Sequence, residues 1–160
     1  MLRDFVINGA KAPEAMHKAK VAMVTGMAVV KKDTTTEKLV ELTSDEAVAD
    51  IFFVDKERIP SGCNAAAGDM SDYSEEFVNV KVNEFVTLDR YAPGERFGTD
   101  QYDDTTINKS VAIDTRVSFK NGKAMKSTSL ESIYVFKGMY DDNGHMLAVI
   151  EVSDTAKANS

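Results

Sequence analysis

Short apolar runs separated by turn signals run through most of this chain. Pro93-Gly94, Asn121-Gly122 and Asn143-Gly144 punctuate it, and turns recur at about the 8–12-residue spacing of all-β sandwiches and barrels. No amphipathic helix longer than about two turns can be drawn. The best helical candidate is residues 13–24, with Pro13 as a first helical residue ahead of Ala15, Met16 and Ala19. The pattern predicts a mainly β fold: a small β-barrel or β-sandwich built from hairpins with single-turn helices.

One unit occurs twice. Lys38-Leu-Val-Glu-Leu-Thr-Ser44 aligns without gaps with Lys123-Ala-Met-Lys-Ser-Thr-Ser129, and both continue as Thr-Ser-x-Glu, ending at Glu46 and Glu131. That is the spacing of a capping box, in which hydroxyl and carboxylate satisfy each other's free backbone donors at a helix start. An apolar run follows each time, Ile51-Phe-Phe-Val54 or Ile133-Tyr-Val-Phe136. Each unit therefore reads as a strand, one helical turn and a second strand.

The hairpins make register predictions. A loop Lys120-Asn121-Gly122, with Gly122 left-handed in a bulge, sets Val117 opposite Met125. A loop Asp142-Asn143-Gly144 sets Met139 opposite Leu147. After Glu131 both strand faces are apolar: Ile133, Val135, Met139, Leu147 and Val149 on one, Tyr134, Phe136, Tyr140, Met146 and Ile150 on the other. Such strands belong inside a sandwich or at a subunit contact. Residues 75–91 contribute two more strands.

At 160 residues the chain matches a single domain. It divides into an extended N-terminal arm, residues 1–20, and a single β-rich domain over residues 21–155. Charge is uneven. Residues 1–32 carry Arg3, Lys11, Lys18, Lys20, Lys31 and Lys32 against Asp4 and Glu14, a net of +4, while the remainder is −11. A body of that sign repels phosphate backbones and argues against nucleic acid as a partner. No apolar run reaches the ~18 residues of a membrane span, and no secretion-signal core opens the chain, so synthesis in the cytoplasm is expected. Residues 60–76 form a loop longer than the ~12–15 residues compact domains usually hold without a function for them.

Catalytic patterns are missing. Cys63 is the single cysteine and His17 and His145 the only histidines, and nothing in the order of residues brings them together. No P-loop, dinucleotide fingerprint or nucleophile elbow is spelled. Asp103-Asp104 and Asp141-Asp142 fall in turns, where neighbouring acids are solvated rather than converging on a pocket. Aligning Gly144 with position 6 of an EF-hand loop puts Met139 at position 1, where the ion needs a carboxylate. The expectation is no enzyme, no cofactor and no metal.

The stretches AKVAMVTGMAVVKK, GDMSDYSEEFVNVKVNEFV and YAPGERFGTDQY, on an acidic β body with a basic leading segment, resemble the head decoration, or cement, proteins of tailed bacteriophages. The resemblance implies a non-enzymatic virion protein that binds the outside of a capsid and stabilises it. Its partner would be the major capsid protein, with self-association into a trimer or other small oligomer, no nucleic acid and no membrane. Another phage assembly subunit, of a tail tube or head fibre, is the alternative, and a small ligand-binding or enzymatic barrel a further one. Arms and long loops order on docking in such proteins. This reading assigns partner contacts to Leu2, Arg3, Phe5, Val6, Ile7 and Lys11 in the arm and to Asn64, Met70 and Tyr73 in the long loop.

Overall fold

A computed structural model of the chain describes residues 1–9, 13–56 and 78–159. The fold is mainly β, as the sequence predicts. Thirteen strands form in the described residues. The first nine are β1 (Leu2–Val6), β2 (Glu14–Ala19), β3 (Met23–Val24), β4 (Ala28–Lys31), β5 (Leu39–Leu42), β6 (Phe52–Asp55), β7 (Asn79–Val80), β8 (Phe85–Asp89) and β9 (Arg96–Thr99). They are followed by β10 (Val117–Lys120), β11 (Lys123–Lys126), β12 (Ser132–Asp142) and β13 (His145–Lys157).

Strands β2, β5, β4, β6 and β8 close into a five-stranded barrel. Its seam is parallel, with Lys18 beside Leu39 and Ala19 beside Val40; the other four pairings are antiparallel. A second sheet runs β1-β9-β13-β12, and β10-β11 is a separate hairpin. Small inward chains suit a five-stranded bore: Ala19, Val29, Val40, Val54, Val86 and Leu88 fill it.

On β4 and β6 the residues of the other parity are buried too. Ala28 and Phe53 leave the barrel wall and join Phe97, Phe119, Phe136, Ile150 and Val152 in the larger core shared with the second sheet. Phe53 sits at the centre, with ring centroids 4.4 Å from Phe97, 5.3 Å from Phe119 and 5.5 Å from Tyr91. Strands buried on both faces explain the continuous apolar run Ile51–Val54.

Several expectations are corrected. Residues 1–20 are not a separate arm. β1 pairs with β9, Leu2 opposite Thr99, and β2 is a barrel stave. The helix expected over residues 13–24 is replaced by β2 and the short β3, because ladders to β5 and β8 hydrogen-bond both edges of β2 and β3 pairs with β7, whereas an isolated helix of two turns is marginal.

Neither Thr43 nor Thr128 starts a helical turn; each stretch bends and runs on extended. The two copies of the repeat lie side by side instead. Ala47 and Phe119 exchange backbone hydrogen bonds of 2.9 and 2.8 Å, and the Asn121 N–H donates to the Thr43 carbonyl at 2.7 Å.

Both hairpin registers differ from expectation by one residue. Val117 pairs with Lys126 and Phe119 with Ala124 around a two-residue Asn121-Gly122 loop. Tyr140 pairs with Leu147 around Asn143-Gly144. All four loop residues have positive φ, between 51° and 92°, the primed turn whose twist matches that of the strands. The register places Phe119 and Ala124 together in the core. At Gly122 a Cβ would come within 2.9 Å of Leu42 Cδ2, so the turn seats directly on the barrel.

Candidate interaction surface

The face of β8-β2-β5 turned away from the shared core is the open side of the barrel. Its side chains follow from the period of two along a strand. On β2, His17 and Ala19 point inward and are buried, so Met16, Lys18 and Lys20 point out. On β8, Val86 and Leu88 are buried and Phe85 points out. The register sets Lys18 directly opposite Phe85.

Met16 and Phe85 are 60% and 62% exposed, unusual for side chains of this size and apolarity. A lysine lies on each. The Lys18 ammonium is 5.3 Å from the Phe85 ring centroid, and Lys38 Nζ is 3.9 Å from the Met16 sulfur. Val82, 53% exposed, continues the patch through the turn whose Asn83 N–H donates to the Ala19 carbonyl. Among the described residues neither Lys18 nor Lys38 has an ion pair, whereas Lys20 pairs with Glu41 at 2.6 Å. The surface thus offers two exposed apolar chains under two lysines that make no direct ion pair among the described residues, Lys38 acting on the Glu14 carboxylate only from longer range. Burying a side chain such as Phe or Met contributes about 1.5–3 kcal/mol, so the patch suits a partner that is apolar and anionic.

Inside the barrel, behind this face, the polar residues gather at one end. His17, only 1% exposed, has Nδ1 at 2.8 Å from Glu14 Oε1 and Nε2 at 3.0 Å from Asp33 Oδ1. Neither ring nitrogen is aligned with its carboxylate as a full hydrogen bond. Lys31 pairs with Glu14 and holds that carboxyl below its ordinary value of 4.5. The imidazole separates the two carboxylates, and among the described residues no three ligating groups converge as a metal site. The cluster ties β2 to β4, across the intervening β5, through Glu14 and Lys31, and to the loop carrying Asp33 through His17.

A second concavity of about 700 Å³ lies between the two sheets, floored by Tyr91, Ile133, Tyr134 and Val152. Burial pushes the Tyr134 hydroxyl up to about 12, so the floor stays neutral. Arg90 and Asp50 on its rim are 3.9 Å apart and largely exposed. With Glu131 also lining it, the concavity carries one more acid than base.

The residues predicted to contact a partner are spread differently. Leu2 is in the shared core. Arg3 pairs with Asp142, and the Phe5 ring meets Tyr140 edge-on at 5.0 Å. Ile7 packs half-buried against the core. Val6 alone of these is a large exposed apolar chain, at 42%. Lys11, Asn64, Met70 and Tyr73 lie outside the described residues, as does Cys63. Sequence reasoning missed Met16, Lys18, Lys38 and Phe85. The signal was present as Met-x-Lys-x-Lys alternation on β2, hidden by the helical reading of that segment. Comparison with known protein families, with curated proteins and with solved structures finds no match for this chain.

Proposed function

We propose that this chain is a non-enzymatic structural protein of a tailed-phage virion, one that binds the outside of the capsid and stabilises it. The observation that supports this reading best is the barrel's open face, where Met16 and Phe85 stand exposed beneath Lys18 and Lys38, which make no direct ion pair among the described residues. Neighbouring exposed apolar chains on one face of a folded β scaffold suit attachment to another protein. The scaffold also ties its ends into its body. The Met1 ammonium is bonded to the Thr25 carbonyl and to Asp100, at 2.8 and 2.6 Å. Near the other end, the Asn159 amide bonds the backbone of both Arg116 and Ser127.

The test is co-sedimentation with purified phage shells lacking auxiliary proteins. Saturable binding is expected, together with a rise in the temperature at which the shells break. Loss of binding in Met16→Ser/Phe85→Ser would place the contact on the open face. Rings or tubes formed without any shell would reassign the chain to a tail-tube or fibre subunit.

A further inference from the structure

The open face also carries a statement about its partner's chemistry, which rests on the attachment reading above. We infer that this face receives a protein segment in which carboxylates flank apolar side chains, the acids meeting Lys18 and Lys38 and the apolar groups covering Met16 and Phe85.

Three observations converge on that occupant. The two lysines have no ion pair among the described residues, and each lies over an exposed apolar group at 5.3 or 3.9 Å. An incoming carboxylate therefore gains a charge partner without breaking a direct ion pair, Lys18 having none among the described residues and Lys38 reaching Glu14 only from longer range. Neighbouring Lys20 and Lys31, by contrast, are already committed to Glu41 and Glu14. Next, the apolar groups stand directly beside the cations. A purely ionic ligand would leave Met16 and Phe85 wet, and a purely apolar one would bury two ammonium groups without partners, which is costly.

The third observation is the charge of the whole chain, −7, concentrated as −11 after residue 32. A duplex carries a charge about every 1.7 Å, and an anionic bilayer is similarly continuous. Either would meet this acidic body as well as the two lysines. A folded protein presents a few carboxylates locally, and so matches a small cationic spot on an acidic molecule.

The experiment uses the full chain and a defined probe, a random copolymer of glutamate and tyrosine. Polyglutamate, phosphatidylglycerol vesicles and a DNA duplex are run in parallel. Binding is followed by amide and methyl chemical shifts. Saturable binding to the copolymer is expected, with shifts centred on residues 16–20 and 84–86, weaker binding to polyglutamate, and at least about tenfold weakening with added salt. Lys18→Glu/Lys38→Glu should lose about tenfold or more, while Lys18→Arg/Lys38→Arg stays within about threefold.

No saturable binding to the copolymer, or equal binding by the charge-reversed variant, overturns the inference. So does tighter binding to vesicles or DNA. The two readings separate cleanly. If the charge-reversed variant still binds shells as the parent does, this inference falls and the virion role stands. If shells are ignored while the copolymer binds on this face, the virion role falls and the inference stands.

Discussion

Glu46 accepts hydrogen bonds from both the backbone N–H and the hydroxyl of Thr128, at 2.9 and 2.5 Å. It also accepts one from the Ser127 hydroxyl at 3.1 Å. One carboxylate, from the first copy of the repeated unit, thus caps the bend of the second copy. The Thr-Ser-x-Glu spacing predicted a local exchange, and the chemistry is kept while the partner changes. Thr43 makes the complementary crossing, donating its hydroxyl to the Phe119 carbonyl at 3.2 Å. The join between the barrel and the β10-β11 hairpin is therefore polar at its edge and aromatic beneath.

Replacing that carboxylate loosens the join. Glu46→Ala is expected to cost about 1–2 kcal/mol, because the Thr128 N–H and hydroxyl lose their charged acceptor and water replaces it only in part, while the Ser127 hydroxyl keeps the Leu130 carbonyl at 2.9 Å. For a chain of this size that lowers the melting temperature by about 2–8 °C. A thermal melt checks it; an unchanged midpoint would mean the bend holds without the contact.

Acid should weaken the fold over a defined range. Glu14, Glu84 and Glu151 are all held below their ordinary 4.5, by the Lys31 ammonium, the Lys81 N–H and the Arg96 guanidinium respectively. At Glu46 burial pulls upward, but the hydrogen bonds led by those from Thr128 outweigh it and the net shift is down. A carboxyl whose pKa is lower folded than unfolded stabilises the fold fully above the unfolded value, and that contribution is lost as pH falls through the folded value. Urea midpoints should stay level from about pH 7 to 5 and decline below about 4.5. Glu46→Gln should decline less steeply, and a flat profile down to pH 3 would contradict the assignment.

Removing residues 1–20 takes away β1 and one stave of the barrel. Val40 and Val86 would lose the strand between them, and the seam formed by Lys18 and Ala19 with Leu39 and Val40 would open. The truncated chain is expected to lose dispersed amide resonances and cooperative melting. A well-folded truncation product would show that the barrel can close without β2.

Two phenylalanines should behave oppositely. Phe53→Ala empties the centre of the aromatic core and is expected to cost about 3–5 kcal/mol. Phe85→Ser, on the open face, should change stability by no more than about 0.5 kcal/mol while weakening attachment. Equal melting losses for the two would mean that Phe85 is a packing residue after all.

The amino-acid order alone determined the β class, the positions of the two Asn-Gly hairpins and the apolar runs that became core strands. These are local properties: turn chemistry acts within four residues, and alternation is visible along a single strand. What the order alone left open was always a question of what lies across from a residue. Phe119 faces Ala124 because the shared core rewards that register, and one residue of slip would turn the hairpin's other face inward. Met16 is outward because β2 is held between β5 and β8, partners about 20 and 70 residues away in the chain. Glu46 meets Thr128 across 82 positions. Alternation says that two faces differ, but only the closed barrel, packed on one side and open on the other, decides which of them is buried and which is offered to a partner.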